Sequence, residues 1–583
     1  MRSPAILRRS GTSPRSSSAR RASVSNPVAG CAIADGVPWD CAGAVEIGFT
    51  IPPRYNASEV LFQNLRGGRG DRLAVTGPAG PRSYRGLAAD AACWGNALLS
   101  LGLKRGDRVL LLLDDTPAYP AAFFGAVRAG LVPILLSILT PPDLLRFYAI
   151  DSNAKTAVCE AVLSDRCESA SQPLGPIKTL IVVNGRTALS IPAAEIRHAD
   201  SWLPAFSDRL PAADTHRNDM AFWMYSSGST GKPKGIVHLQ HDMPYTDLSY
   251  ARSVLKLTPD DLCFSVPKIF FSYGFGNSIT FPFSVGAASV LMPGRPTPAA
   301  VFAAVAQFRP SVFFALPTLY TMLTGAPEIR EADFSSVRLA VSAAEVLSAE
   351  VSNAWKAATG LDIIECLGST EMLNVYLSNS PQRRKPGAAG LRVPGYEIVL
   401  KDENGKEVAD GREGVMWIRG HSATPMFWNR PRRTAQTIRD GGWLCTNDRF
   451  TRDEDGFYFF RGRTDDLVKI SGQWVHPVEV QRCLAEHPLV RECAVLALEL
   501  PDRRMTLKAF VVINDSSFDQ KATARLLQDY VKQKLLPYKY PHIVEFMDDL
   551  PKTGSGKIDR QALALPSGGA GATKAGRPMT VLR

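Results

Sequence analysis

The alternation of apolar, strand-like runs with helical patterns between residues 56 and 463 most constrains the fold of this chain. RVLLLLD at 108–114, SVFFALP at 311–317 and LDIIECLG at 361–368 predict buried strands, whereas AAVFAAVAQF at 299–308 has the spacing of a helix. Strands that are apolar on both faces and separated by helices are typical of parallel sheets covered on both sides. We therefore expect a large N-terminal α/β domain with mostly parallel sheets.

Beyond residue 465 the apolar segments become shorter and more closely spaced. The pattern predicts helices at 477–487 and 524–535 and strands at 493–500, 507–514 and 542–547, which together form a small α+β C-terminal domain. The polar, turn-prone segment 462–466 predicts a hinge between the two domains. The predicted organisation is a disordered leader at 1–54, a large domain at 55–464, a small mobile domain at 465–566 and a flexible tail at 567–583.

The formal net charge of +11 is concentrated at the two ends of the chain. Residues 1–30 carry six arginines and no acid, and residues 567–583 carry three further basic residues. The sequence between them is nearly neutral, so a nucleic-acid partner is not expected. The Arg- and Ser-rich leader is typical of transit peptides and of disordered leaders, and could also reflect an upstream start site; these alternatives stay open.

Cysteine and histidine usage indicates neither a disulfide framework nor a zinc site. The ten cysteines form no C-x-x-C pair, and the eight histidines show no metal-ligand spacing. A reducing, cytoplasmic location is therefore expected. The longest uncharged stretch, 269–294, contains prolines, glycines and polar side chains, which favours buried core over a membrane span.

The segment YSSGSTGKPKG at 225–235 is the most informative motif in the chain. It follows the strand-like run MAFWMY, and its glycines, hydroxyls and lysines are suited to wrap and neutralise a phosphate. It is not a Walker A loop, because Ser226 stands where a glycine is required and Pro233 follows Lys232. The motif nevertheless predicts a phosphate-binding loop. His238 and His241 follow it, either as pocket contacts or as structural histidines.

This order of Ser/Thr, Gly, Pro and Lys resembles the signature loop of the adenylate-forming superfamily of acyl-CoA synthetases, luciferases and peptide-synthetase adenylation domains. Four further segments occur in the order typical of that superfamily, and the resemblance covers roughly residues 56–562. They are CLGSTEM at 366–372, TNDRF at 446–450, RGRTDDLVKISGQWVHPVEV at 461–480 and LPKTGSGKIDR at 550–560. The resemblance implies an AMP-forming acid–thiol ligase that uses ATP, Mg²⁺ and coenzyme A.

The resemblance also implies how ATP is held. Glu371 and Thr230 would bind Mg²⁺, Asp448 would accept from the ribose hydroxyls, and Arg463 would contact ribose and phosphate. Asn447 replaces the usual glycine before Asp448, and asparagine tolerates the positive φ that such a turn needs. The complete expected ATP-binding set is Ser226, Ser227, Gly228, Ser229, Thr230, Gly231, Lys234, Ser342, Ala343, Ala344, Glu345, Glu365, Cys366, Leu367, Gly368, Ser369, Thr370, Glu371, Asp448 and Arg463.

Within the segment SAAEVL at 342–347, which resembles an adenine-side loop, Ala343 and Ala344 stand where the superfamily usually carries glycine. The superfamily's loop implies a close approach of the backbone to the nucleotide, and this departure slightly weakens that implication.

By the same resemblance the C-terminal domain serves both halves of the reaction. Lys557 is the expected catalytic residue for adenylation, together with Glu371, Thr230 and Lys234 of the large domain. Asp465 is the expected hinge. The loop that would line the path of coenzyme A is formed by Lys469, Ser471, Gly472 and Trp474.

The segment 266–298 is most similar to the benzoate-CoA ligase branch, in which it helps to form a small, flat aryl pocket. The residues implied for the acyl pocket are Ser272, Tyr273, Gly274, Gly368 and Asn374. Ser272 and Asn374 depart from the branch, which often carries Ala and His there. Because both add hydrogen-bonding groups to an otherwise apolar pocket, we expect a hydroxy- or amino-substituted benzoate as substrate.

The predicted function is therefore an ATP-dependent aryl-CoA ligase that forms acyl-AMP and pyrophosphate, then acyl-CoA and AMP. Its partners are a small aromatic carboxylic acid, ATP and CoA, with no membrane partner, and a homodimer is left open. One alternative is an aryl-acid adenylating enzyme that loads a carrier protein. Another is a catalytically inactive protein that binds acyl-adenylates.

Overall fold

The structure of the protein, a computed structural model, describes most of the chain between residues 42 and 564. The described ranges are 42–170, 175–188, 191, 194–226, 233–345, 347–464, 468–470, 473–499, 505–514, 518–535, 539–553 and 557–564. Most of the predicted leader and all of the predicted tail lie outside them. So do Ser227, Gly228, Ser229, Thr230, Gly231, Asp465, Ser471 and Gly472.

The described strands are, in chain order, β1 (Leu73–Thr76), β2 (Arg82–Ser83), β3 (Arg108–Leu112), β4 (Val132–Leu135), β5 (Thr156–Glu160), β6 (Thr179–Val183), β7 (Glu195–His198), β8 (Met220–Ser226), β9 (Lys234–Leu239), β10 (Leu262–Ser265), β11 (Ala288–Val290), β12 (Val312–Ala315), β13 (Leu339–Ser342), β14 (Ile363–Gly368), β15 (Val375–Ser378), β16 (Leu391–Arg392), β17 (Glu397–Lys401), β18 (Glu413–Arg419), β19 (Ile438–Arg439), β20 (Trp443–Arg452), β21 (Tyr458–Arg463), β22 (Val468–Ile470), β23 (Gln473–Val475), β24 (Val490–Glu499), β25 (Met505–Ile513) and β26 (Ile543–Phe546).

The described α-helices are α1 (Ala42–Glu46), α2 (Glu59–Arg66), α3 (Tyr84–Ser100), α4 (Ala118–Arg128), α5 (Pro142–Ser152), α6 (Ser164–Ser169), α7 (Ala199–Trp202), α8 (Asp242–Thr246), α9 (Ser272–Phe275), α10 (Phe281–Val285), α11 (Pro298–Phe308), α12 (Pro317–Gly325), α13 (Ala349–Thr359), α14 (Pro431–Thr437), α15 (Pro477–Ala485), α16 (Gln520–Lys534) and α17 (Arg560–Ala564). Side-chain caps begin several of them. In α11, for example, Pro298 occupies the first turn and Thr297 Oγ1 accepts from Ala300 N at 3.2 Å.

Two sheets of the large domain are mostly parallel, as the sequence predicted. A seven-stranded sheet has the order β7-β6-β5-β3-β4-β8-β9, and a nine-stranded sheet has the order β16-β15-β14-β13-β12-β10-β11-β1-β2. Strands such as β5 and β6 are buried along their whole length, which explains their continuous apolar sequence. Antiparallel pairing is confined to the edge pairs β8–β9, β1–β2, β14–β15 and β15–β16.

A third sheet in the large domain is antiparallel, which the expectation of mostly parallel sheets did not anticipate. Its strands β17, β18, β20 and β19 are neighbours in that order, and β21 pairs with β20. The strands alternate buried and half-buried residues, as in β18, because one face packs on the core and the other faces outward.

The small domain contains a three-stranded sheet, β24-β25-β26, and the two-stranded hairpin β22–β23. The two helices and three strands that the sequence predicted here lie within four residues of their predicted bounds. Helices α15 and α16 cover one face of the sheet through a cluster that includes Val480, Leu527 and Val531. The expected fold class, a large N-terminal α/β domain with a smaller C-terminal domain, is confirmed.

The parallel strands β10, β12, β13 and β14 place their carboxyl ends side by side. The loops that follow them therefore meet at one edge of the nine-stranded sheet, where open α/β sheets commonly bind ligands. Segment 269–294 forms short buried helices and β11. Within the described ranges, no helix has the length and apolar character needed to cross a membrane.

Candidate active site

The predicted phosphate loop is the tip of the antiparallel β8–β9 hairpin, and segment 227–232 of that tip lies outside the described residues. Ser226 and Lys234 face each other at its base. Lys234 Nζ lies 2.7 Å from Glu371 Oε1 and 4.1 Å from the centroid of the Phe427 ring. The hairpin therefore places a lysine ammonium beside the carboxylate that was predicted to bind Mg²⁺.

Glu371 lies in a single 3₁₀ turn after β14, and Ser369 Oγ begins that turn by accepting from Met372 N at 3.3 Å. Burial by itself would raise the pKa of Glu371. The charge and hydrogen bond of Lys234 outweigh burial, so the pKa lies below its ordinary value. Glu371 is therefore ionised at neutral pH, which is the form that a Mg²⁺ ligand requires.

His238 is hydrogen-bonded to the loop that carries Glu371. Its Nε2 lies 2.9 Å from the Thr370 carbonyl oxygen, and its Nδ1 lies 2.8 Å from Asp242 Oδ2. Because a carbonyl only accepts, Nε2 donates to it, and both ring nitrogens are engaged within the protein. His241 is buried beside Asp242, and burial lowers its pKa. Of the two interpretations of these histidines, the geometry supports the structural one.

The loop after β13 carries the predicted adenine-side residues. Ser342 and Ala343 are buried. Glu345 Oε2 accepts from Thr318 Oγ1 at 2.6 Å and from Thr318 N at 3.2 Å, whereas Glu345 Oε1 is buried with no hydrogen-bond partner among the described residues. Thr318 thus fixes the carboxylate and leaves one of its oxygens to face the site.

Asp448 and Arg463 lie directly opposite each other on β20 and β21, with Arg463 Nη1 3.2 Å from Asp448 Oδ1. The antiparallel pairing brings together two residues that are fifteen positions apart in the sequence and were both predicted to contact ribose. The turn beside them is closed by Thr464 N, which donates to Asn447 O at 2.8 Å.

Backbone strain collects in these loops. The φ angles of Ala344, Leu373 and Asn447 are 75°, 65° and 60°, in the left-handed region that favours glycine. Asn447 adopts the positive φ that the sequence predicted. For Ala344 the conformation costs roughly 1–2 kcal/mol relative to glycine, so the alanine retains the backbone geometry of the position where glycine is usual.

Lys557 of the small domain reaches these large-domain loops. Its Nζ lies 5.1 Å from the centroid of the Phe271 ring, and its loop is closed by Thr553 N donating to Lys557 O at 2.6 Å. Burial lowers the pKa of Lys557, while the negative charges of three neighbouring carboxylates oppose that effect. These carboxylates belong to Glu345, Asp448 and Glu371.

The predicted acyl-pocket residues Ser272 and Asn374 also meet. Asn374 Nδ2 donates to the Ser272 carbonyl at 3.1 Å, and Asn374 Oδ1 accepts from Val375 N at 2.9 Å. Ser272 Oγ lies 3.4 Å from Thr370 Oγ1. The Asn374 amide is therefore engaged with the protein backbone, and the Ser272 hydroxyl contacts the Glu371 loop through Thr370.

Two glycines of this region are required by close packing. A Cβ on Gly274 would lie 2.1 Å from Lys268 O, and a Cβ on Gly368 would lie 2.4 Å from Asn374 O. Tyr273, which precedes Gly274, is buried, and its hydroxyl has no hydrogen-bond partner among the described residues. The backbone therefore fits tightly around this part of the site.

Lys469 and Trp474 are paired across the β22–β23 hairpin. Ser471 and Gly472 at its tip, and the hinge residue Asp465, lie outside the described residues. The assignments of a coenzyme A loop and of a hinge stay predictions.

Glu365 and Cys366 were predicted to contact ATP, and that assignment stays a prediction. Cys366 is buried in the apolar core, and burial raises its pKa to about 12. Burial raises the pKa of Glu365 to about 7, and its main opposing charge is Arg482 of the small domain. Sequence reasoning missed Arg482 and also Phe271, although the FF pair before Ser272 was a usable signal.

Comparison with known proteins agrees with this architecture. Residues 62–428 match the family of AMP-binding enzymes, and residues 479–557 match the C-terminal domain of AMP-binding enzymes. The first match covers more than half of the chain, so the chain belongs to the AMP-binding enzyme family. The predicted family is thereby confirmed.

Several relatives within this family are CoA ligases of aromatic acids. The chain is 39% identical to benzoate–CoA ligase of Thauera aromatica over 513 residues, covering 88% of this chain and 96% of the relative. It resembles the crystal structure of an anthranilate CoA ligase in complex with anthranoyl-AMP, with a TM-score of 0.83, 35% identity and coverage of 88% and 97%. A benzoate CoA ligase from Burkholderia xenovorans LB400 has a TM-score of 0.80, 36% identity and coverage of 88% and 100%.

Proposed function

We propose that the protein is an AMP-forming aryl-CoA ligase that uses ATP and coenzyme A to convert a small aromatic carboxylic acid to its thioester. The observation that carries the proposal is the position of Lys557, whose Nζ lies 5.1 Å from the centroid of the Phe271 ring, close enough to feel the charges of Glu345, Asp448 and Glu371. The named relatives above are CoA ligases of aromatic acids, which supports free coenzyme A over a carrier protein as the acceptor.

In the first step, a carboxylate oxygen of the acid attacks the α-phosphorus of ATP and pyrophosphate leaves. This step needs no protein nucleophile, so catalysis rests on positioning and on the stabilisation of negative charge. The Lys557 ammonium would lie between the acid and the α-phosphate, and Asp448 with Arg463 would hold the ribose. Lys234 lies at the base of the phosphate loop, where it would neutralise phosphate charge.

Mg²⁺ fits the site as a companion of ATP. Within the described ranges no group of three or more metal-binding side chains is present, so an all-protein metal cage is not indicated there. Mg²⁺ bound to nucleotides commonly takes one or two carboxylates besides the phosphates. The ionised Glu371 would supply one, with Thr230 of the phosphate loop as a further oxygen. When bound, the ion would neutralise charge on the phosphates.

In the second step, the thiol of coenzyme A attacks the acyl carbon of the adenylate and AMP leaves. We propose that the Lys469–Trp474 hairpin lines the path of the thiol and that Asp465 is the hinge about which the small domain turns between steps. Lys557 and this hairpin belong to the same small domain but serve different steps, which is the reason for expecting the rotation.

For the substrate, we propose a benzoate with a hydroxyl or amino group on the ring. We propose that Ser272 Oγ hydrogen-bonds to that substituent; the bonding of the Asn374 amide to the backbone supports this choice over Asn374. Asn374 then acts by fixing the Ser272 carbonyl. Ser272 Oγ already lies 3.4 Å from Thr370 Oγ1, and a hydroxyl or amino group on the ring would give this buried hydroxyl a second hydrogen-bond partner. An anthranilate CoA ligase among the structural relatives is consistent with an amino substituent.

The proposal is tested by measuring AMP release with ATP, coenzyme A and a panel of benzoate, aminobenzoates, hydroxybenzoates, cinnamate, cyclohexanecarboxylate and short fatty acids. We expect ring-substituted benzoates to give the highest kcat/KM. A strong preference for unsubstituted benzoate over every substituted analogue would refute the substituent, and the absence of AMP release with all aromatic acids would refute the ligase.

A further inference from the structure

Three glutamates of the large domain lie opposite three basic side chains of the small domain. Glu413 lies 3.5 Å from His476, Glu365 is the main negative charge that acts on Arg482, and Glu345 is the main negative charge that acts on Lys557. We infer that Glu345, Glu365 and Glu413, here called the docking glutamates, hold the small domain in the orientation that serves adenylation. The inference rests on the proposed two-step function.

The Glu413 pair is the most direct contact of the three. His476 Nε2 lies 3.5 Å from Glu413 Oε1, and the exposed fractions of the two side chains are 14% and 34%. His476 belongs to the small domain and immediately precedes α15. Its ring lies against the last strand of the large domain, because a Cβ on Gly462 would be 2.6 Å from His476 Nδ1. The hydrogen bond from His476 helps to lower the pKa of Glu413 to about 2.

Arg482, one and a half turns along α15, makes the second contact. Its Nη1 donates to Phe460 O of β21 at 2.9 Å, and its guanidinium lies 5.7 Å from the centroid of the Phe460 ring. Burial lowers the pKa of Arg482, and Glu365 is the main charge that opposes this effect. Arg482 Nε is buried with no hydrogen-bond partner among the described residues. A buried guanidinium needs an acidic neighbour, and Glu365 supplies it.

Glu345 makes the third contact through the catalytic lysine itself. Thr318 holds Glu345 Oε2, whereas Oε1 is buried without a partner in the described residues, and Glu345 is the strongest of the carboxylates that favour the charged form of Lys557. Before substrate arrives, this carboxylate would stabilise the ammonium within the site. This contact would give Glu345 a role in placing Lys557, and its predicted contact with ATP stays a prediction.

Ionic contacts suit an interface that must open in every catalytic cycle. A partly exposed ion pair shifts an equilibrium by about 1.4- to fivefold. Two charge pairs and the polar Glu413–His476 contact can together favour one orientation without making it permanent, whereas a large apolar interface would hold the domains together. All three basic residues lie beyond the predicted hinge at Asp465 and all three glutamates lie before it, so rotation about that hinge separates every pair.

The test compares the two half-reactions in Glu413→Gln, His476→Asn and the double variant. Adenylation is measured as exchange of pyrophosphate into ATP, and thioester formation as AMP release from preformed benzoyl-adenylate and coenzyme A. Each single variant should lower adenylation by about two- to fivefold and leave thioester formation unchanged or faster. The double variant should resemble the single variants, because either substitution removes the same pair. Glu403→Gln is the matched control, because Glu403 is exposed in the turn between β17 and β18, the strand on which Glu413 lies. It should change neither rate.

Glu413 also binds Arg449, so a loss of stability could mimic a docking effect. The His476→Asn variant leaves that pair intact and separates the two explanations. Equal changes in both half-reactions, or effects that multiply in the double variant, would overturn the docking role. If the wild-type protein shows no pyrophosphate exchange at all, the proposed ligase function fails instead.

Discussion

Replacing Lys557 by methionine tests the placement of the small domain in the site most directly. Methionine keeps the apolar stem that packs near Phe271 and removes only the ammonium, whose Nζ lies 5.1 Å from the centre of that ring. The substitution should therefore keep the docking contacts of Glu413 and Glu365, lose that of Glu345, and remove the positive charge that stabilises the transition state of adenylation.

The magnitude follows from Coulomb's law at the site. A unit charge pair about 4 Å apart at an effective dielectric constant near 20 is worth roughly 4 kcal/mol. A loss of that size slows a reaction by about a thousandfold. We expect Lys557→Met to lower pyrophosphate exchange by about this factor and thioester formation from preformed adenylate by less than about threefold. Equal losses of rate in both half-reactions would refute the assignment of Lys557 as the catalytic residue of adenylation. A decrease in the adenylation rate of less than about tenfold would also refute it.

The pH profile of adenylation gives a second readout of the same residue. The charged form of Lys557 is required, and burial lowers its pKa, so kcat/KM for adenylation should fall as the pH rises through that lowered value. The decline should begin at a lower pH than for an ordinary lysine. Lys557→Arg should move the decline to higher pH, because arginine stays protonated throughout this range. A profile unchanged by Lys557→Arg would contradict this reasoning.

Three further substitutions have distinct expected outcomes. Glu371→Gln should raise the Mg²⁺ concentration needed for adenylation and lower stability by about 3–5 kcal/mol, because Lys234 is left without its partner at 2.7 Å; an unchanged Mg²⁺ titration would argue against the metal role. Ala344→Gly should relieve the positive φ and stabilise the fold by about 0.5–1 kcal/mol in urea unfolding, and a lower midpoint would contradict the strain. Ser272→Ala should reduce the preference for hydroxy- or aminobenzoate over benzoate by about two- to tenfold, whereas an unchanged preference would exclude Ser272 as the reader of the substituent.

Much of the fold was predictable because its signals are local. Strands β5 and β6 are buried on both faces and therefore appear as continuous apolar runs. The two helices and three strands predicted for the small domain were located to within four residues. The antiparallel third sheet was not predicted. Its strands alternate buried and half-buried residues and pair across loops of different length. The sequence of one segment does not reveal which other strand it pairs with.

The candidate site divides in the same way. The loops that carry Lys234, Glu371, Asp448 and Lys557 were recognisable as ordered motifs, whereas the partners of their side chains were not. His238 is fully buried, and both of its ring nitrogens bond to other groups of the protein. These bonds favour a structural role for His238, and the sequence did not predict them. Likewise, the sequence suggested both Ser272 and Asn374 as contacts of the ring substituent. Because the Asn374 amide bonds to the backbone, we propose Ser272 alone for that contact.

The sequence by itself determined the order of the motifs, the two-domain α/β architecture and the left-handed turn at Asn447, since each depends on residues that are neighbours along the chain. Only the tertiary structure decided which distant residues meet. Lys557 approaches Glu345 across more than two hundred residues, and Arg482 approaches Glu365 across more than one hundred. Contacts of this kind depend on how whole sheets and domains pack, because the energy of a charge pair is set by distance and burial rather than by spacing in the sequence.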